Sequence, residues 1–314
     1  MTTLSSYPPP QVYFSILELS EQHPDLLVAA MSHAIVTIHK VTREIRILAG
    51  EPALSGYVEG VGRAARFYTI LGVAQLEYKY ILSDRVNNCL RSVDYLSNET
   101  QTFAGLCGSR GTADGSLLLA RFYSPRGMMR DLGNPDVIYL ADYLALRKID
   151  LSAETVITLP SSYLSSAYRT GITMSPAGSL FVSSYHGVIQ YTLNETIRWL
   201  TGSTIASVPP CEQCDISSAR FNYPSQLRFI TPEVLLMADT SNYKLRLINL
   251  TSGVVTAIGA GQGYQNGHYQ NSKLLSPYSI AVDNSFIYIG ENTASGGGVR
   301  ELAYTGGCDF LSFQ

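Results

Sequence analysis

The residues of this 314-residue chain best suited to chemistry are its five cysteines and five histidines. Four cysteines fall into two close pairs, Cys89 with Cys107 and Cys211 with Cys214, and Cys308 is left over. Cys-x-x-Cys can be half of a zinc site, a redox dithiol or a loop disulfide. No second Cys or His pair stands at matching spacing, and no strand-helix-strand unit surrounds Cys211 and Cys214, so a loop disulfide beside Pro209-Pro210 is expected. Nothing in the chain reads as a Gly-x-Ser-x-Gly elbow or a phosphate-cradling glycine loop, and Gly296-Gly297-Gly298 is a plain glycine run. The sequence assigns no catalytic residue, no metal and no cofactor.

Composition narrows the partners. Only 15% of residues are charged, and 22 Lys+Arg against 25 Asp+Glu give a formal net charge of -3. Nucleic acid and anionic membrane both require a clustered positive surplus, so neither is expected as a partner. The longest apolar stretch, Leu26 to Ile38, is interrupted by Ser32 and His33 and falls short of the roughly 18 residues of a membrane helix, so it reads as a buried strand pair. Residues 1–11 are Pro-rich (Pro8, Pro9, Pro10) and lack a basic region followed by an apolar one, so the chain is either cytosolic or cut from a longer precursor. Tyr outnumbers Phe, 21 to 10, which suits amphipathic strands and a surface able to bind.

The elements that must position these residues are repeated. Ala-Arg-Phe occurs at Ala65 to Phe67, Ala120 to Phe122 and Ala219 to Phe221, with a degenerate copy at Ser272-Lys273-Leu274. Gly60, Gly115 and Gly267, each after a polar residue, precede Phe67, Phe122 and Leu274 by the same interval, and Ala49-Gly50 and Ala104-Gly105 match upstream. Downstream, an apolar run ends in an acid (Asp84, Asp142, Asp239, Glu291), then a strand carries Leu-Arg (Leu90-Arg91, Leu146-Arg147, Leu245-Arg246), then a Thr- and Val-rich run closes the unit. Four short strands per unit, bounded by Gly, Asp and Asn turns, predict a twisted four-stranded antiparallel blade. Counting gives six blades, at about 12–50, 67–106, 122–160, 168–202, 221–260 and 276–313, in one all-β propeller.

This pattern resembles the NHL-repeat family, whose repeat runs through a Pro-Gly-aliphatic strand, an Ile-Tyr-Val-Ala-Asp strand, an Asn-x-Arg-Ile-Arg strand and a Val-Thr-Thr-Leu-Ala-Gly strand. Blade five matches best, through Ala238-Asp239, Asn242, Leu245-Arg246 and Val254-Val255-Thr256. Blades one and four depart, losing the acid around Met31-Ser32 and at Ser184. The resemblance covers nearly the whole chain and implies a six-bladed propeller, with Asp84, Asp142, Asp239, Phe67, Phe122 and Phe221 as structural repeat positions.

In such a ring the loops between strands two and three share one face, here called upper, with the blade-to-blade connections; the turns between strands three and four lie opposite. The sequons at Asn98, Asn194 and Asn249 all fall in those opposite turns and are expected to be glycosylated. Cys89 and Cys107 fall at the same end of neighbouring strands, where a disulfide is geometrically allowed. Disulfides and sequons together place the chain outside the cytosol, at the cell surface or secreted, with a cytosolic scaffold as the alternative.

A metal-dependent lyase or hydrolase, as in the peptide-amidating lyase that the family resembles, is a second alternative. It would need converging histidines, but of His23, His33, His39, His186 and His268 only His33 and His186 reach the upper face, from blades that are not adjacent. The charges on or beside the inner strands, Glu18, Glu77, Asp131, Arg130, Arg228 and Asp283, mix arginines with the carboxylates a hydrolase site would want. Upper-loop arginines, among them Arg85, Arg110 and Arg126, are offset by the repeat acids, which argues again against RNA. The expected activity is therefore recognition of a protein or glycan by upper-face loops carrying Tyr57, Tyr143, Tyr185, His186, Tyr243, Tyr264, His268 and Tyr269.

Overall fold

The computed structural model describes residues 13–143, 145–160, 171–192, 196–202, 211–293, 296–305 and 309–313. They form six antiparallel sheets arranged in a ring, a six-bladed β-propeller. Blade one holds Phe14–Leu19, Leu26–Met31, Ala34–His39 and Ile45–Gly50. The remaining blades begin on their inner strands at Ile70–Gln75, Met128–Arg130, Ile172–Met174, Pro224–Thr231 and Pro277–Val282. Each inner strand packs on the next, and the last packs back on Phe14–Leu19, which closes the ring without sharing a sheet. Ser279 Oγ donates to the Phe14 carbonyl (3.1 Å), and Lys40 pairs with Asp283 (2.9 Å) and Arg43 with Glu301 across the same seam.

Strand alternation explains why the blades stack. In Leu26–Met31, Leu27, Ala29 and Met31 face the core shared with blade six, while Val28 and Ala30 face the core shared with blade two. Successive side chains point to opposite faces, so a strand buried on both sides reads as a continuous apolar run, and six separate cores result, one between each pair of blades. That is why Leu26 to Ile38 looks membrane-like in sequence yet forms a strand pair.

The Ala-Arg-Phe triplets are wedges in these cores. Ala65 and Phe67 lie between blades one and two, Ala120 and Phe122 between two and three, Ala219 and Phe221 between four and five, and Leu274 between five and six. The paired glycines follow from this. Gly50 (φ +86°) ends the fourth strand of blade one and Gly105 (φ +84°) follows that of blade two, and a Cβ there would stand 2.8 Å from the Phe67 and Phe122 rings respectively.

In blades two, three, five and six a short further strand (Gly60–Val61, Gly115–Ser116, Gln213–Asp215, Gly267–His268) pairs with the outer edge of the sheet. It is the stretch leading into the triplet, running down the outside of the blade that follows. Among the described residues, blades one and four have four strands.

Candidate functional site

The repeat acids meet an arginine inside the four blades that carry the extra strand, the Leu-Arg arginines in blades two, three and five and Arg300, after Val299, in blade six. Asp84 pairs with Arg91 (3.4 Å), Asp142 with Arg147 (3.5 Å), Asp239 with Arg246 (2.8 Å) and Glu291 with Arg300 (3.4 Å), all nearly or fully buried. Each acid also accepts a backbone N–H just past the triplet, from Tyr68, Tyr123, Asn222 and Leu275. The guanidiniums reach the lead-in stretches: Arg91 donates to the Val58 carbonyl, Arg147 to Ala113, Arg300 to Gln265, and Arg246 to Cys211. Burial pushes Asp84 and Asp142 up to about 6, against the lowering effect of these donors and of the arginines. Both partners of each pair are at most 3% exposed, so the pairs lie inside the blades.

The two disulfides tie into the same parts. Cys89 opens the third strand of blade two and bonds Cys107, with Cα atoms 4.9 Å apart. Cys211 bonds Cys214 (Cα atoms 6.0 Å apart) in the lead-in of blade five, holding the carbonyl that Arg246 uses. Asn98 stands in its turn at φ +57°, and Asn249 Oδ1 accepts from the Thr251 and Ser252 N–H groups. Asn194 and Cys308 lie outside the described residues.

The aromatic set expected on the upper face divides. Tyr143 packs 5.1 Å from Tyr123 and under the Arg126 guanidinium. Tyr185 meets Tyr223 edge-on at 5.4 Å, and the buried His186 packs on the same Tyr223 ring with Nδ1 at the Phe221 carbonyl. Tyr243 makes the left-handed end of a short 3-10 turn in blade five. Tyr57 and Tyr264, by contrast, cap Arg91 and Arg300 from outside, at 4.8 and 5.0 Å. His268 belongs to the edge strand outside blade six, opposite Ser312, and its neighbour Tyr269 packs on the core between blades five and six. Those two are therefore not upper-loop residues, because the lead-in stretch descends the outer edge instead of crossing the face.

The rings at the upper face that sequence reasoning passed over are Tyr68, Tyr123 and Tyr223, with Tyr68 42% and Tyr223 47% exposed. Their signal is positional: each follows the triplet phenylalanine by one or two residues. A second register is the residue after the acid position: Ser32, Arg85, Tyr143, Tyr185, Thr240 and Asn292, one from each blade. Asn292 lies at the end of the strand Phe286–Thr293, and the other five stand just past the second strands of their blades, so the register follows the upper ends of those strands.

Two cavities occupy the ends of that channel. The lower, about 520 Å³, is lined by Glu18, Glu21, Gln75, Arg130, Asp131, Arg228 and apolar residues including three methionines. Its arginines are matched by acids: Glu18 pairs with Arg228 and accepts from Gln226 (3.2 Å), and Glu21 pairs with Arg130 (3.7 Å), while Asp131 accepts from the Gly133 and Asn134 N–H groups. Burial lifts Glu18 to about 7 despite Arg228. Of the other inner-strand charges, Glu77 is exposed and Asp283 serves the seam with Lys40.

The upper cavity, about 440 Å³, is lined by Tyr13, Ser15, Ser32, His33, Pro52, Ala53, Thr69, Leu71, Arg85, Tyr278 and Asn292, from blades one, two and six and the connection between the first two. Inter-blade hydrogen bonds set its polar groups. Thr69 N–H donates to His33 Nδ1 (3.0 Å), Phe14 N–H to Asn292 Oδ1 (3.0 Å), and Arg85 Nε to Ser124 Oγ (3.1 Å). Burial lowers the His33 pKa, so the ring stays neutral at pH 7. Among the described residues, no group of three or more His, Cys, Asp or Glu side chains comes together to hold a metal ion. No helix there is long and apolar enough to cross a membrane.

Fold and site thus define a six-bladed β-propeller with a polar upper mouth that has Tyr13 and Tyr278 in its lining. No family model matches the chain. No curated protein matches it in sequence. It is similar in structure to an auxiliary nutrient binding protein from Bacteroides thetaiotaomicron (TM-score 0.72, 13% identity, 93% of this chain and 69% of that one). A protein of the same description from Bacteroides ovatus gives TM-score 0.70 at 15% identity, covering 92% of this chain and 69% of that one. A chain of a nidogen/laminin complex gives 0.58 at 14% identity, with 85% of each chain covered. At such identities the likeness establishes the fold.

Proposed function

We propose that this chain is a non-catalytic recognition module of NHL-like type that works outside the cytosol and binds a glycan or protein partner at its upper face. The observation that carries this reading is the upper mouth itself. It is a cavity of small-molecule size with Tyr13 and Tyr278 in its lining, and the pairs Tyr123–Tyr143 and Tyr185–Tyr223 add aromatic surface on other blades; Tyr rings give contact area at little entropic cost. The lower mouth supports it by contrast, since both of its arginines are already matched by carboxylates. The two disulfides favour an oxidising compartment. The nutrient-binding and laminin-complex descriptions of propellers of similar fold agree with a binding role. The sequons at Asn98, Asn194 and Asn249 are proposed glycan acceptors, away from the binding face.

The test is binding of the oxidised protein to an array of immobilised oligosaccharides and extracellular matrix proteins. Binding lost in Tyr185→Ala and Tyr223→Ala but kept in Arg228→Gln supports the upper face. Binding that depends on Arg228 and ignores both tyrosines overturns it.

A further inference from the structure

The polar groups of the upper cavity are not a random mixture. The lining contains one guanidinium, one imidazole, one side-chain amide and several hydroxyls, and no Asp or Glu. The orientation of the first three is decided by hydrogen bonds to backbone or to a neighbouring blade. A backbone N–H can only donate, so the Thr69 bond makes His33 Nδ1 an acceptor and puts the proton of the neutral ring on Nε2. The Phe14 N–H likewise makes the Asn292 oxygen an acceptor, which leaves its Nδ2 hydrogens as the donors on the other side. Arg85 spends Nε on Ser124, and among the described residues no carboxylate pairs with it. The two arginines of the lower mouth differ in this respect, being matched by Glu18 and Glu21.

Two fixed neutral donors and one uncompensated cation converge on a half-buried space whose lining supplies no counter-charge. Taking a cation partly out of water without a partner is costly, so the state with an anion bound is the one in which this mouth is electrostatically complete. A guanidinium offers a planar fork matched to a planar carboxylate. The walls are not only polar: Tyr13, Tyr278, Leu71 and Pro52 give flat apolar surface of the kind that packs on a sugar ring.

We propose that the upper mouth binds an acidic sugar, with the carboxylate held by Arg85 and the ring hydroxyls by His33 and Asn292. This rests on the recognition role assigned to the upper face and names the ligand chemistry of that site. The arrangement is spread over blades one, two and six, so it exists only in the closed ring. Asn292 serves both purposes, since the bond that fixes its amide is also a bond across the seam between blades six and one.

The experiment is calorimetric or NMR titration of the intact, oxidised chain with D-glucuronate, D-glucose and N-acetylglycine. D-glucuronate should bind at least about tenfold more tightly than D-glucose, as a charge-assisted hydrogen bond implies. Arg85→Gln should abolish that preference, Arg85→Lys should retain part of it, and Arg228→Gln should change nothing. Asn292→Asp guards against a folding artefact, because it keeps an oxygen for the Phe14 N–H while placing a negative charge in the mouth; it should fold and lose glucuronate binding.

Equal binding of glucose and glucuronate, tighter binding of N-acetylglycine, failure of glucuronate to bind at tens of millimolar, or indifference to both Arg85→Gln and Asn292→Asp would each overturn the proposal. Array binding that needs Tyr185 and Tyr223 but survives those two changes would leave the recognition surface standing and remove only the acidic sugar.

Discussion

Blades two, three, five and six carry a buried acid–arginine pair and an extra edge strand; blades one and four, among the described residues, carry neither. In the second group Val36 and Ile189 stand where the arginine would be, and Met31 and Ser184 where the acid would be. The coincidence has a physical cause. A buried arginine must satisfy several N–H groups, and the carbonyls that do so come from the lead-in stretch and the triplet backbone. Pair and lead-in strand therefore support each other, whereas an apolar residue at the arginine position asks nothing of the outer edge. The departing blades instead use their upper loops: His33 accepts from Thr69 and His186 contacts the Phe221 carbonyl, each stapling its blade to the next.

The largest effect should come from breaking a pair on one side only. Arg147→Met leaves Asp142 buried without its cation and should cost about 3–5 kcal/mol, while Ile189→Val at the corresponding place in blade four should cost about 0.5–1.5 kcal/mol. Both are read from urea unfolding of the oxidised protein. Copying blade four into blade three, as Asp142→Ser with Arg147→Ile, should be less damaging than Arg147→Met alone, because no uncompensated charge remains. If the double variant were as unstable as the single one, the carbonyl contacts to Ala113 and Arg121 would be the stabilising element and not the charge pair.

A smaller loss is expected from Cys107→Ser. The Cys89–Cys107 bridge spans 18 residues of sequence, and a loop of that size stabilises by about 3 kcal/mol through the unfolded chain. Cys214→Ser opens a bridge spanning three residues and should cost less, with its effect concentrated in the lead-in that Arg246 grips. Hydrogen exchange would separate the two: the first variant should raise exchange across blade two, the second mainly around residues 211–219.

Much of this contrast can be read from the chain. The triplet, the acids, the Leu-Arg strands and the loss of the acid in blades one and four are sequence facts, and they mark the ring and its two departing members because buried positions permit few residue types. The edge strands escape such a reading, since two-residue pairings such as Gly60–Val61 carry no periodicity. The upper mouth is legible only in part. Tyr143 and Tyr185 stand out as aromatics, but Ser32, Arg85 and Asn292 share their register without sharing chemistry. Arg85 looks in sequence like one of several upper-loop cations; what distinguishes it is its place in a cavity lined from three blades that has no Asp or Glu among its lining residues.

The smallest effect is a slope, not a loss, and it bears most directly on the difference between the two kinds of blade. Burial lifts Asp142 from its ordinary 3.8 to about 6, outweighing its N–H donors and Arg147. Below about pH 4 the group is protonated in folded and unfolded chains alike, and above about pH 6 it is ionised in both. In between, the folded chain holds a proton that the unfolded chain has released, so stability should fall as pH rises through this window. Asp142→Asn keeps an oxygen for the Tyr123 N–H and should flatten that part of the slope, whatever it does to stability at fixed pH. Ser184→Ala, at the acid position of blade four, removes no titrating group and should leave the slope as it was. A slope unchanged by Asp142→Asn would mean that Arg147 holds the carboxylate ionised throughout, and that the pair-bearing blades gain their stability without a proton.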